Sequence, residues 1–172
     1  MKQLLTLLAI FFIMPLYSQG VKWISIEEAQ KLNKITPRKI IIDVYTDWCG
    51  WCKRMDNDTY KDPKIVKYIN DNYYAVKFNA EQQTPVSFNG KKFEFVNQGA
   101  RGYNTFAATI LNNQMGYPST AFINEDLSII GAVSGYKGVA EFEPLLYYIK
   151  EEHFKKNISL QDYTKGFGKP KN

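Results

Sequence analysis

Cys49 and Cys52 stand three residues apart in Trp48-Cys49-Gly50-Trp51-Cys52-Lys53, and they are the chain's two cysteines. On the first turn of a helix, residues i and i+3 share a face. That spacing suits a pair in which one sulfur attacks and the other resolves. A helix starting here puts Cys49 at its N-terminus, beside unpaired backbone N–H groups. Those dipoles favour the thiolate, the form that attacks disulfides. An ordinary cysteine titrates near about 8.5, and lowering that by one unit takes ~1.4 kcal/mol of preferential thiolate stabilisation. Cys52, one turn in, is expected to be more buried and to release a mixed disulfide. Two other chemistries fit the same residues. A structural disulfide between such near neighbours closes a tiny loop and stabilises little. A two-cysteine copper site could use Met55 or Met115 as a soft third ligand.

The elements that must position this motif are legible around it. Lys39 to Tyr45 is a β-branched run (Ile40, Ile41, Ile42, Val44), read as a buried strand leading into the cysteine helix. Before it, Ser25 and Glu28 form a capping box that opens a helix to about Asn33. After it, Asp62-Pro63 supplies an N-cap and a first helical residue, and Tyr73 to Asn79 reads as a second strand. Asn89-Gly90 signals a tight hairpin that pairs Val86 with Phe93. It is expected to put Val86, Phe88, Phe93 and Phe95 on one face, with Ser87, Lys92 and Glu94 on the other. Asn104 or Thr105 caps a short helix through Leu111. Thr120 to Ile123 and Leu127 to Val133 read as strands joined by an Asn124-Glu125-Asp126 turn. Val139, Phe142, Leu145, Leu146 and Ile149 recur at helical spacing. Asn157 to Asn172 is polar and expected to be loose, with one short turn capped by Ser159. Strands alternating with helices and ending in a hairpin predict a mixed sheet covered by helices.

Composition removes several functions. The chain has 172 residues, 45% of them apolar, which is one domain with a proper core. Its net charge of +5 is spread along the chain, without the focused basic patch that nucleic-acid binding needs. One histidine, His153, rules out His-rich metal sites, and two cysteines rule out a four-cysteine zinc site. The first residues read as an address. Lys2 precedes an apolar run from Leu4 to Leu16, too short for a membrane span, and Ser18 is a small residue before Gln19. A signal peptide over 1–18 is expected, with the exported domain over 19–156 and the polar tail over 157–172. Export to the periplasm or outside the cell puts both cysteines in an oxidising compartment. No cysteine lies near the cleavage point, so lipid attachment is not indicated. After cleavage the protein is not expected to be integral to a membrane.

The stretch Ile40 to Lys53 resembles the active-site strand and helix of the thioredoxin-like family. Continued to Glu81, it is especially similar to the C-terminal thioredoxin-like domain of the bacterial membrane thiol:disulfide interchange protein (DsbD). The shared features are Trp-Cys-x-x-Cys-Lys, Thr59-Tyr60, Asp62-Pro63, Ile65-Val66 and the Tyr74 to Asn79 strand. Gly116 to Phe122 resembles the family's cis-proline loop, and Gly135-Tyr136 with the last helix resembles its C-terminal end. The resemblance implies a thioredoxin fold, with a hairpin and helix inserted at about 82–114. It implies that Cys49 is the nucleophile and Cys52 the resolving thiol. Asp43 matches the family's buried acid and Lys77 the lysine that pairs with it, so that Asp43 serves as general base towards Cys52. Pro118 is expected to be cis, bringing the Tyr117 backbone beside Cys49 to pair with an extended substrate. Trp48, Gly50, Trp51 and Tyr117 would complete the substrate rim. The family's general reductant has proline where Trp51 stands, and its strong oxidants have histidine inside the pair. This chain has neither, which leaves the redox poise open.

The expectation is an exported thiol:disulfide oxidoreductase acting on protein substrates. It needs no cofactor beyond the Cys49–Cys52 pair, and reduction is favoured, with electrons from a membrane donor of the interchange type. Oxidase or isomerase work, and a copper chaperone on the same scaffold, are the alternatives.

Overall fold

A computed structural model describes residues 20–99 and 101–169. The export signal expected over 1–18 lies outside the described residues. A two-residue strand β1 (Trp23–Ile24) precedes helix α1 (Ile26–Ile35), strand β2 (Lys39–Tyr45), helices α2 (Gly50–Asp58) and α3 (Pro63–Asn72), and strand β3 (Tyr73–Asn79). Two short hairpins follow: β4 (Val86–Phe88) with β5 (Lys91–Phe93), and β6 (Phe95–Gln98) with β7 (Arg101–Asn104). Helix α4 (Thr105–Ile110), strands β8 (Ser119–Ile123) and β9 (Ile129–Ser134), helix α5 (Val139–Lys150), a 3₁₀ turn (His153–Lys156) and helix α6 (Leu160–Gly166) complete the chain.

The main sheet runs β1-β3-β2-β8-β9. β1, β3 and β2 are parallel, while β8 is antiparallel to both β2 and β9. β2 is buried almost throughout, so its side chains sort by alternation rather than by polarity. Ile40, Ile42 and Val44 pack with Ile26 and Ala29 of α1 and Phe106 and Ile110 of α4. Ile41 packs on the opposite side with Met55 of α2, Ile65 and Ile69 of α3, and Phe142 and Leu146 of α5. The mixed sheet sandwiched between helices is therefore the expected thioredoxin fold. Phe122 pairs with Gly131 but Ile123 with Ile129, which leaves Ile130 as a bulge in β9.

Local signals hold where the chemistry is local. Ser25 Oγ accepts from the Glu28 N–H at 3.1 Å, and Asp62 caps α3 through the Lys64 and Ile65 amides, with Pro63 as first helical residue. The Asn89-Gly90 turn pairs Val86 with Phe93. Phe88 and Phe93 then meet Phe106 at 5.2 and 5.4 Å, and Gln30 and Glu27 of α1 hold the hairpin backbone.

Three expectations need correcting. Phe95 leaves the first hairpin and opens a second one, opposite Asn104. β1, absent from the sequence reading, extends the sheet beside β3. The tail expected to be loose carries α6 with Ser159 as its N-cap, and Leu160 and Tyr163 pack on the α5 side of the core. The Tyr148 hydroxyl donates to the Ile158 carbonyl at 2.8 Å, and Phe167 lies 5.2 Å from Tyr147. Polar composition hid three spaced apolar side chains. Among the described residues no helix is long and apolar enough to cross a membrane.

Candidate active site

β2 delivers the chain to the motif. Thr46 turns it, its carbonyl accepting from the Cys49 N–H at 3.1 Å, and α2 begins at Gly50 with Cys49 as its N-cap. Cys49 and Cys52 form a disulfide. The Cys52 N–H points at Cys49 Sγ at 3.1 Å, so the sulfur occupies the place of a capping oxygen. A thiolate released there by reduction meets that amide and the positive end of α2, both of which favour the charged form. Cys52 is 2% exposed and Cys49 5%, so both residues are well covered and Cys49 slightly less so. A Cβ on Gly50 would meet nothing within 4 Å, so crowding does not demand glycine there.

Two exposed tryptophans flank the disulfide. Trp48 is 53% exposed, donates its indole N–H to Glu81 Oε1 at 3.0 Å, and meets Tyr117 edge-on at 6.0 Å. Trp51 is 56% exposed and lies 5.5 Å from Tyr136. The Arg54 guanidinium covers both of those rings and donates to Asp58. The Tyr117–Pro118 peptide is cis, and Ser119 begins β8 directly after it.

On the α2 side of the sheet lies a charged cluster. Parallel pairing sets Asp43 of β2 opposite Lys77 of β3. Alternation turns both to the α2 side, because Ile42 and Val44, and Val76 and Phe78, take the other side. The Lys77 Nζ lies 3.2 Å from Asp43 Oδ2 and also donates to Asp56 Oδ1 of α2. Asp56 follows Cys52 by four residues and so shares its helical face. Burial pushes the Asp43 carboxyl from 3.8 up to about 6; Lys77 pulls it back and Asp56 pushes it further up. Burial alone would draw the Lys77 ammonium down, but the two carboxylates outweigh it and its pKa is raised. Asp43 thus changes charge just below neutrality in a protein whose other carboxylates lie largely in solvent.

The sequence reading named Asp43, Lys77, Cys49, Cys52, Trp48, Gly50, Trp51, Tyr117 and Pro118. The structure joins them as two sets, the charged pair below α2 and the aromatic rim above it. It adds Asp56, Glu81 and Arg101, whose guanidinium sits 4.3 Å from the Trp48 ring centre. Asp56 could have been found as the i+4 neighbour of Cys52. Nothing local marks Arg101, which arrives on the second hairpin. Met55 and Met115, the candidate soft ligands, pack in different core clusters. Among the described residues no group of three or more His, Cys, Asp or Glu side chains is placed to hold a metal.

A redox pair capping a helix, on a mixed sheet with helices on both sides, defines the thioredoxin-like class. A family model described as a thioredoxin-like domain matches residues 26–150, and the chain belongs to that family. It is 24% identical over 140 residues to an uncharacterised protein of Caenorhabditis elegans, covering 78% of this chain and 17% of that one. It is 35% identical over 43 residues to the thiol:disulfide interchange protein DsbD of Haemophilus ducreyi, covering 25% and 8%. The chain thus spans less than a fifth of either relative. A solved DsbH oxidoreductase shares the fold at 15% identity and a TM-score of 0.58, with 85% of this chain and 95% of that one covered.

Proposed function

We propose that this protein is an exported thiol:disulfide oxidoreductase that reduces protein disulfides. The observation that carries the reading is the Cys49–Cys52 disulfide at the start of α2, with the Cys52 amide on Cys49 Sγ and the Asp43–Lys77 pair tied to α2 through Asp56. In the reduced protein the Cys49 thiolate attacks a substrate disulfide. One Cys49–substrate S–S bond forms and one substrate thiolate leaves. The Cys52 thiol passes its proton towards Asp43, directly or through water, and attacks Cys49 Sγ. The second substrate thiolate leaves, and the Cys49–Cys52 bond present here is restored. Two electrons pass to the substrate, and an electron donor of the membrane interchange class returns the pair to its dithiol form. Trp48, Trp51 and Tyr117 supply the apolar rim on which an extended substrate lies, and the backbone at Tyr117 pairs with it. The apolar run over Leu4 to Leu16 supports export.

Insulin reduction tests the activity. The wild type should shorten the lag before turbidity, and Cys49→Ser should not; equal lags would remove the catalytic reading. The reduction potential of the pair tests direction. A value near about −270 mV fits a reductant, whereas one near about −120 mV fits an oxidant and would reverse the proposal.

A further inference from the structure

The second hairpin brings an arginine to the redox rim, and its surroundings leave that arginine unused. The base of the hairpin is tied to the segment beside Trp48. The Asn104 N–H donates to the Ala80 carbonyl at 2.7 Å, and the Asn104 side chain donates to the Gln82 and Thr84 carbonyls. Glu81, in the same segment, accepts from the Trp48 indole. Within the hairpin, Gln98 pairs with Arg101 and Asn97 with Gly102. The Phe95 ring crosses over Gly102, where a Cβ would lie 2.2 Å from Phe95 Cζ and 2.5 Å from the Val96 carbonyl oxygen. Space at Gly102 therefore sets how closely the two strands approach, and with it where Arg101 stands. Arg101 ends with its guanidinium 4.3 Å from the Trp48 ring centre, lining a shallow pocket with Glu81, Gln83, Phe95 and Gly102.

The opposite side of the rim carries a second arginine on a second tryptophan. Arg54 covers Trp51, but its Nε donates to Asp58 at 3.1 Å. Among the described residues no carboxylate or carbonyl accepts from Arg101, and the pocket's carboxylate, Glu81, is turned to the indole N–H. A guanidinium seated over a ring with no acceptor on its N–H groups has them free to take a carboxylate side-on.

We propose that Arg101 is a specificity-determining residue of the exchange, receiving an acidic side chain of the protein substrate next to the cysteine under attack. The inference rests on the oxidoreductase reading above and narrows its substrates to disulfides with acidic neighbours.

Two disulfide-bonded peptides, identical except for Asp or Lys beside the attacked cysteine, give the test. The reduced protein is mixed with each, and kcat/KM for exchange is measured. The Asp:Lys ratio is taken within each variant, so that a general loss of activity cancels. Wild type should favour the Asp peptide by about tenfold or more, the lower end of what a hydrogen bond to a charged group contributes. Arg101→Gln should bring the ratio close to one, and Arg101→Glu should invert it, restoring speed on the Lys peptide. Lys53→Gln removes an exposed charge next to Cys52 and should leave most of the preference intact. An unchanged ratio in Arg101→Glu, or a loss in Lys53→Gln as complete as in Arg101→Gln, overturns the role of Arg101 alone. Absence of exchange with both peptides overturns the oxidoreductase reading and this one with it.

Discussion

Two lysines, one buried and one half-buried, sit on neighbouring strands at opposite ends of the sheet. Lys39 opens β2 and is 1% exposed; its Nζ donates to Asn124 Oδ1 at 2.6 Å, Glu125 Oε2 at 2.7 Å and Glu152 Oε1 at 2.8 Å. Three N–H donors meet three acceptors, so the hydrogen bonds of the ammonium are all made. The cluster ties the β8–β9 turn and the end of α5 to the start of β2. Lys77, near the end of β3, meets Asp43, which is buried, and Asp56, which is not. At both ends one ammonium serves two carboxylates, but here one of them, Asp43, is shut away from solvent and its ionisation is opposed by burial. The Lys39 end is built to hold still, and the Lys77 end is built to change its charge. Side chains of the same type diverge because the carboxylates around Lys39 reach solvent, while one of those around Lys77 cannot.

The largest effect should come from emptying the first cluster. Glu125→Ala with Glu152→Ala leaves Lys39 charged and buried, and should lower unfolding free energy by roughly 3–5 kcal/mol. Denaturant midpoints measure this, and the pH profile of exchange should stay where it was. A double variant as stable as wild type would break the contrast.

Next is Asp43→Asn. Asp43 carries a raised pKa, so the folded state holds its proton more tightly than the unfolded chain. Its contribution to stability is complete below about pH 4 and is lost as pH rises through about 6. Removing the charge should therefore stabilise the protein by about 1–3 kcal/mol at pH 8, and hardly at all at pH 4. The same variant should slow resolution by Cys52 by about tenfold or more at neutral pH, read from accumulated mixed disulfide in quenched samples.

Smaller shifts should follow from the neighbours, with opposite signs. Lys77 lowers the Asp43 pKa and Asp56 raises it. Lys77→Met should move the inflection of the exchange rate to higher pH, and Asp56→Asn to lower pH. Movement of both in one direction would mean that the three groups do not share the proton.

The smallest effect lies in acid. Lys155 and Lys39 hold the Glu152 carboxyl down to about 2. A depressed carboxylate gives stability above its unfolded pKa, and that is lost as pH falls towards 2. Glu152 is 36% exposed, so solvent screens much of this term. Melting temperature should rise as pH drops from 7 to about 4 and then fall, with Glu152→Gln flattening the acid limb alone.

Legibility from the sequence divided along the same line. Elements set by neighbours in the chain were readable: the bounds of β2 from its β-branched run, the span of β3, α3 from Asp62-Pro63, and the first hairpin from Asn89-Gly90. Elements set by distant partners were not. β1 is two residues long and exists through its pairing with Ala75 and Val76. The second hairpin lacks an Asn-Gly turn and depends on a glycine shaped for Phe95. Among the site residues, the cysteine pair was legible by spacing. Asp43 and Lys77, ordinary as isolated residues, were legible through family likeness. Asp56 looked like one more solvated helix residue until β3 brought Lys77 beneath it.

The outer margins of the sheet bear on where an extended polypeptide can pair with this fold. On one side the sheet stops at β1, too short to template a neighbour. On the other, the Ile130 bulge interrupts β9, so its free amides do not form an even row. Client polypeptides with exposed backbone therefore find little to zip onto there. For the proposed exchange with protein disulfides, these margins compete little with the backbone at Tyr117 for an extended substrate.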